Sequence, residues 1–178
     1  PLGHRGQGAA LLAASLLAPI MALTMIHGAI QAPYRQQPDL RDNTAVTAFP
    51  GQGGLILSQP LHDYLVAVVE GARSAGFEPG SPAIDLTGRS PGILYVMEAR
   101  SLGFPWLPGG YPGSAALAQE ALAGQSCEEL AVAWLLVELG GPDILAEDEV
   151  LASFGAGLND DYAVAAAFAT APQSGGHE

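Results

Sequence analysis

The chain contains no lysine, and its six basic residues are all arginines: Arg5, Arg35, Arg41, Arg73, Arg89 and Arg100. Against them stand 18 carboxylates, for a formal charge of −12. A surface this acidic repels phosphate backbones, and no basic stripe interrupts it, so the expectation is that the chain binds no nucleic acid. The same charge opposes attraction to anionic lipid headgroups, so any membrane association has to come from apolar burial. Only one cysteine, Cys127, is present. It excludes an internal disulfide and a paired-thiolate metal site, and it leaves the compartment open. Charged residues make up 13% of the 178, about half the ~25% usual for a soluble domain. Walker, GxGxxG, HExxH and CxxC patterns are missing, and no cofactor is expected.

What is there begins with an uncharged run, GQGAALLAASLLAPIMALTMI, over residues 6–26. As a helix it would be about 31 Å long, matching a hydrocarbon core of about 30 Å. Pro19 falls mid-run and would kink the helix, which bilayer helices tolerate when neighbours satisfy the freed carbonyl. A transmembrane helix within residues 1–30 is therefore the expectation. A signal peptide fits less well, because its apolar region is shorter, about 7–15 residues, and Pro33 would follow a cut after Ala32. A buried core helix is the other alternative. Arg5 lies on one side and Arg35 and Arg41 on the other, too few to decide orientation. The first residue is Pro1, which reads as a processed chain or a piece of a longer one.

Residues 31–53 are rich in proline and glutamine and read as a connecting segment, with only TAVTAF resembling a strand. Residues 54–170 then show strands and helices in alternation. GLILS (54–58) is a short strand. Leu61, Leu65, Val68, Val69 and Ala72 fall at helical spacing before Gly76. PAIDLT (82–87) has the character of a buried strand, and Ser90 followed by Pro91 marks a helix start. A short strand is expected at 104–107 and a helix capped by Ser114. Ser126 and Glu129 have the spacing of a capping box. AVAWLLVEL (131–139) reads as a central strand, 143–154 as an amphipathic helix and YAVAAAFA (162–169) as a last strand, before a disordered tail at 171–178. This order predicts a small three-layer Rossmann-like domain with a mainly parallel sheet.

Gly88-Arg89-Ser90-Pro91-Gly92 is literally G-x-S-x-G between a strand and a helix, the setting of a hydrolase nucleophile elbow. Pro91 has no N–H for an oxyanion, and the one downstream histidine is His177 in the tail, so Ser90 is read as a helix cap instead. Asp85, Thr87, Gly88 and Arg89 would lie at the carboxyl end of a strand, where α/β sheets bind ligands. The loop 109–114 would open a helix on the same edge. Asp85, Thr87, Arg89, Ser90, Gly110, Tyr111 and Ser114 are thus the candidate ligand-binding set, with helix N-termini and Arg89 facing an anion. A structural role for the same residues, in tight turns and loop bonds, is the plainer alternative. Asp85 is the odd residue, a carboxylate inside an apolar strand. Residues 147–149 and 159–161 are carboxylate-rich without calcium-loop spacing, and read as solvated turns. Phe104, Trp106 and Tyr111 cluster near the glycine loop; packing explains them, as would stacking on a sugar.

IDLTGRSPGILYVMEARSLG, PWLPGGYPGSAALAQEAL and AWLLVEL resemble the C-terminal extracytoplasmic domain of certain bacterial polytopic membrane proteins that are similar to GT-C type, lipid-phosphosugar-dependent glycosyltransferases. The resemblance runs over about residues 8–170, chiefly through glycine and proline positions. It implies a last transmembrane helix feeding a small α/β domain, an inner-membrane location and an accessory or acceptor-binding role. The catalytic acids of such enzymes lie between earlier helices, so no catalytic residue carries over. The expectation is a non-catalytic, membrane-anchored accessory domain or subunit, partnered by an integral membrane protein and the bilayer. A purely structural subunit and an independent small α/β enzyme are the alternatives.

Overall fold

A computed structural model describes residues 4–33, 39–49, 51–141, 143 and 145–170. The tail at 171–178, expected to be disordered, lies outside the described residues. The chain forms two compact units: residues Pro1–Ala48, Gly54–Asp63 and Thr170–Glu178 make one, and Phe49–Gly53 with Tyr64–Ala169 the other.

In the first unit, helix α1 runs over His4–Gln31, with Pro19 inside it. Its stretch Leu11–Gln31 has a mean hydropathy of 1.8 and none of it is buried, making it long and apolar enough to cross a membrane. Ser15 and Thr24 turn their hydroxyls back onto the carbonyls of Leu11 and Ile20, which removes their polar groups from the helix surface. A 3-10 turn, Leu40–Asp42, follows, capped by Asp39. Strands β1, Ala45–Phe49, and β2, Gln52–Leu57, pair as a two-stranded sheet. The connecting segment expected over 31–53 therefore holds regular structure, because Ala-Val-Thr-Ala-Phe alternates and has a neighbouring strand to pair with. Helix α2, Gln59–Ser74, comes next, and from Tyr64 on it belongs to the second unit.

The second unit is a mixed α/β fold around a parallel three-stranded sheet of order β4-β3-β5. Strand β3 is Pro82–Asp85, β4 is Arg100–Ser101 and β5 is Trp134–Leu136. Pro82 and Ala83 sit opposite Arg100 and Ser101, and Ala83, Ile84 and Asp85 opposite Trp134, Leu135 and Leu136. Helix α3, Pro91–Val96, links β3 to β4. Between β4 and β5 lie α4, Ser114–Ala123, and α5, Cys127–Ala131. Short helices α6, Glu147–Ala152, and α7, Leu158–Asp161, follow β5. Ile84 and Leu86 are buried in one apolar cluster with Leu102, Leu107, Ala118, Leu122, Leu130, Leu145, Val150 and Leu151. Since strand side chains alternate, Ala83 and Asp85 take the opposite face of β3.

Several elements differ from the sequence expectation. Residues 104–107 and 162–169 form no strand, and the 131–139 run is strand only at Trp134–Leu136. The capping box is the cause of the last: Ser126 Oγ accepts from the Glu129 N–H at 3.2 Å and starts α5, which uses up residues to Ala131. Residues 162–169 lie against α2 instead of joining the sheet. A Cβ at Gly71 would meet Ala166 Cβ and Phe168 Cε1, each at 3.2 Å, so the missing side chain is what lets this segment in. Helix α6 begins at Glu147, later than the expected residue 143, because Asp143 is engaged in the loop packing described next.

Candidate functional site

The carboxyl ends of β3 and β5 carry most of the polar groups singled out in the sequence. Asp85 ends β3 and is only 2% exposed. Its Oδ1 accepts from the Thr87 N–H at 2.9 Å and from the Thr87 hydroxyl at 2.6 Å, an Asx-type turn that bends the chain off the strand. Thr87 Oγ1 in turn accepts from the N–H groups of Ser90 at 3.0 Å and Arg89 at 3.3 Å. Thr87 therefore braces the turn that leads into α3. Ser90 occupies the N-cap position, but its own hydroxyl makes no capping bond. This corrects the expectation that Ser90 caps the helix: the Ile93 N–H bonds the Ser90 carbonyl instead of its hydroxyl.

Arg89 forms a two-pronged pair with Glu138, just beyond β5. Its Nε donates to Oε2 at 2.8 Å and its Nη2 donates to Oε1. Both side chains are 13% exposed. The pair ties the loop after β3 to the loop after β5, and it pushes the Arg89 pKa up through the Glu138 hydrogen bonds. Burial pushes the Asp85 carboxyl up from its ordinary range, opposed by the Thr87 bonds and aided by the nearby Glu138 charge. Tyr64, on α2, borders the same groups: desolvation and the Glu138 and Asp85 charges raise its phenol. Asp85 Oδ2 is buried and has no hydrogen-bond partner among the described residues.

A third loop closes on these two. Gly88 and Gly109 pack so tightly against Asp143 that a Cβ would sit 1.8 Å and 1.6 Å from its carbonyl oxygen. Gly88 also needs a φ of 73°, which glycine adopts freely. The Gly88 carbonyl accepts from the Gly109 N–H at 3.0 Å and from Trp106 Nε1 at 3.1 Å. Trp106 is thus a strut between loops, and Gly110 lies beside the Asp143 carboxylate.

Tyr111 and Ser114 stand apart from this network. They belong to an open cleft of about 560 Å³ lined by residues 110–116 of the glycine loop and first turn of α4, together with Leu145, Ala146 and Glu149. Ser114 does not cap α4; Gly113 takes that position and Ser114 Oγ accepts from the Tyr111 N–H at 3.2 Å. The seven candidates therefore divide. Asp85, Thr87, Arg89 and Ser90 bond into one buried knot, Gly110 packs at its margin, and Tyr111 and Ser114 line a separate cleft that neither Asp85 nor Arg89 reaches.

Glu138, Tyr64 and Asp143 are the members sequence reading passed over. Glu138 followed by Gly140-Gly141 was the available signal, an acidic residue at a strand end before a turn. Among the described residues no three His, Cys, Asp or Glu side chains are grouped to hold a metal ion. Chemically, the Arg89–Glu138 pair and the Asp85–Thr87 bonds hold the loops together, while Asp85 Oδ2 has no hydrogen-bond partner among the described residues. Comparison with protein-family models, curated proteins and solved structures finds no match for this chain.

Proposed function

We propose that this chain is a membrane-anchored accessory domain of a larger membrane assembly, without catalysis of its own. The observation that carries the reading is α1: its apolar side chains are exposed on every side over Leu11–Gln31, and in water such a surface has no counterpart in a stable fold. Hydrocarbon satisfies it. Pro19 cannot donate to the Ser15 carbonyl, and a neighbouring helix in the bilayer can supply that donor. Gly8, Ala13, Ala14 and Ala18 allow close approach of such a neighbour.

A specific observation favours the structural variant of this role over an independent enzyme. At the strand ends, where an α/β enzyme places its chemistry, Arg89 is paired with Glu138 and Asp85 with Thr87. The small sheet is read as the centre of a three-layer, Rossmann-like arrangement with α2 and α3 on the Asp85 face and α4 and α6 on the other. The resemblance of the 84–103 and 105–122 segments adds a GT-C type glycosyltransferase as the class of partner, with the domain on the extracytoplasmic side of a bacterial inner membrane. The test is fractionation of native membranes followed by mass spectrometry of what co-purifies in mild detergent. Retention through a carbonate wash together with a polytopic partner is the expected result. Release into the wash overturns the anchor, and retention without any partner overturns the accessory role.

A further inference from the structure

The two-stranded sheet of the first unit presents aliphatic side chains that nothing in that unit covers. On β1, Ala45 and Thr47 are buried while Val46 is 68% exposed. On β2, Ile56 is 61% exposed. A Cβ at Gly54 would fall 2.7 Å from Val46 Cγ1, so Val46 lies over Gly54 and shares its face. Ile56, two residues on, takes the same face by alternation. On the opposite face Thr47 Oγ1 lies 2.8 Å from His62 Nδ1, and Leu55 is 54% exposed there.

The sheet is tied to one particular end of α1. The 3-10 turn packs against α1 and follows its C-terminal end in the chain, and Asp39 caps the turn. Arg41 grips Asp39 through Nε at 2.9 Å and is the main reason its carboxyl is held down to about 2. From the same turn Asn43 Nδ2 donates to the Ile56 carbonyl at 3.4 Å. The sheet is therefore fixed where α1 would leave the hydrocarbon, a depth at which apolar side chains and polar backbone are both satisfied.

We propose that the β1–β2 sheet is a bilayer-contact surface, with Val46 and Ile56 seated at the boundary between headgroups and acyl chains. The inference rests on the membrane anchor proposed for α1. Its occupant is lipid rather than protein because Val46 and Ile56 belong to the same compact unit as the apolar helix. The contact is apolar in origin: a chain of net charge −12 without lysine cannot draw on anionic headgroups. It fixes the sheet to the membrane plane at a second place, so that the helix alone does not set the tilt.

Site-specific fluorescence in nanodiscs tests this. In full-length protein with Cys127→Ser, an environment-sensitive probe is placed at Ile56→Cys, at Val46→Cys and, as a separate marker of the anchor, at Leu16→Cys. The expected result is loss of most Leu16-site emission to a nitroxide carried deep on the lipid tails. The two sheet sites should be quenched by a nitroxide near the headgroup and shielded from aqueous iodide. Iodide quenching at both sheet positions, with Leu16 still quenched by the deep lipid, overturns the sheet contact and leaves the anchor standing. Shielding from both quenchers replaces lipid with a protein partner and also overturns the proposal. Iodide access at Leu16 removes the anchor, and the sheet contact falls with it.

Discussion

Thr87 is the residue on which the loop after β3 turns, and removing its hydroxyl while keeping its shape isolates that role. Thr87→Val is expected to break three hydrogen bonds: the donation to Asp85 Oδ1 and the acceptances from Ser90 and Arg89 N–H. Asp85 Oδ1 keeps its bond from the Thr87 amide, so the principal loss is the bracing of the turn before α3 plus one partner of a buried carboxyl. A buried group left unpaired costs about 1–3 kcal/mol and a lost loop hydrogen bond about 1 kcal/mol, which together give a destabilisation of about 2–3 kcal/mol. For a unit of about a hundred residues that corresponds to a fall in Tm of roughly 10 °C. Urea unfolding of the full chain in mild detergent reads it through tryptophan fluorescence. Trp106 is bonded to Gly88, and Trp134 stands edge-on to Phe77 with ring centroids 5.4 Å apart, so both report on this unit. Thr87→Ser keeps the hydroxyl and should lose only about 1 kcal/mol for the missing methyl. A Thr87→Val protein within about 0.5 kcal/mol of wild type, the range of neutral surface changes, refutes the bracing role.

Arg89→Ala should destabilise by about 3 kcal/mol because it strands Glu138 in a mostly buried setting, whereas Arg89→Met with Glu138→Leu should cost clearly less; equilibrium unfolding of the single and double variants decides it. Gly109→Ala places a methyl 1.6 Å from the Asp143 carbonyl and should cost more than about 4 kcal/mol. Gly124→Ala, with nothing within 4 Å, should leave stability within about 1 kcal/mol of wild type; thermal scans compare the two. Asp85 binds its proton more tightly in the folded chain than unfolded, so its contribution is complete below about pH 4 and declines as pH rises through the shifted value. Asp85→Asn should therefore gain stability relative to wild type as pH rises over that window, and a pH-independent difference in unfolding free energy contradicts the assignment.

The apolar run at 6–26 announced α1 because length and lack of charge are sufficient for that inference. The short strands were harder. PAIDLT was readable, since its β-branched and apolar run is bounded by proline and glycine. Arg100–Ser101, by contrast, is a strand only because Pro82 and Ala83 lie beside it, and two residues carry no period. YAVAAAFA has strand composition, yet Gly71 offers it a resting place on α2, a tertiary choice no local pattern records. At the site, Asp85 stood out as a carboxylate among apolar neighbours. Its bond from the Thr87 amide is the kind of loop bond the sequence suggests, but the Thr87 hydroxyl as a partner is not legible there. Glu138 is forty-nine positions from Arg89, and only the pairing of β3 with β5 brings the two together.

The seating of Ala166 and Phe168 on Gly71 has a consequence for how the chain is made. Helix α2 leaves the ribosome roughly a hundred residues before the segment that covers it, and at about 5–20 residues per second that leaves its face open for between about 5 and 20 s. The parallel pairing of β3 with β5 waits for most of the same interval, since Ala83 must find Trp134. Throughout this time α1 has already emerged and its apolar surface must be taken up. With the anchor proposed above, membrane insertion is complete while the second unit is still an open chain, and the nascent α2, with Leu65, Val68 and Ala72 uncovered, is the stretch most in need of a chaperone.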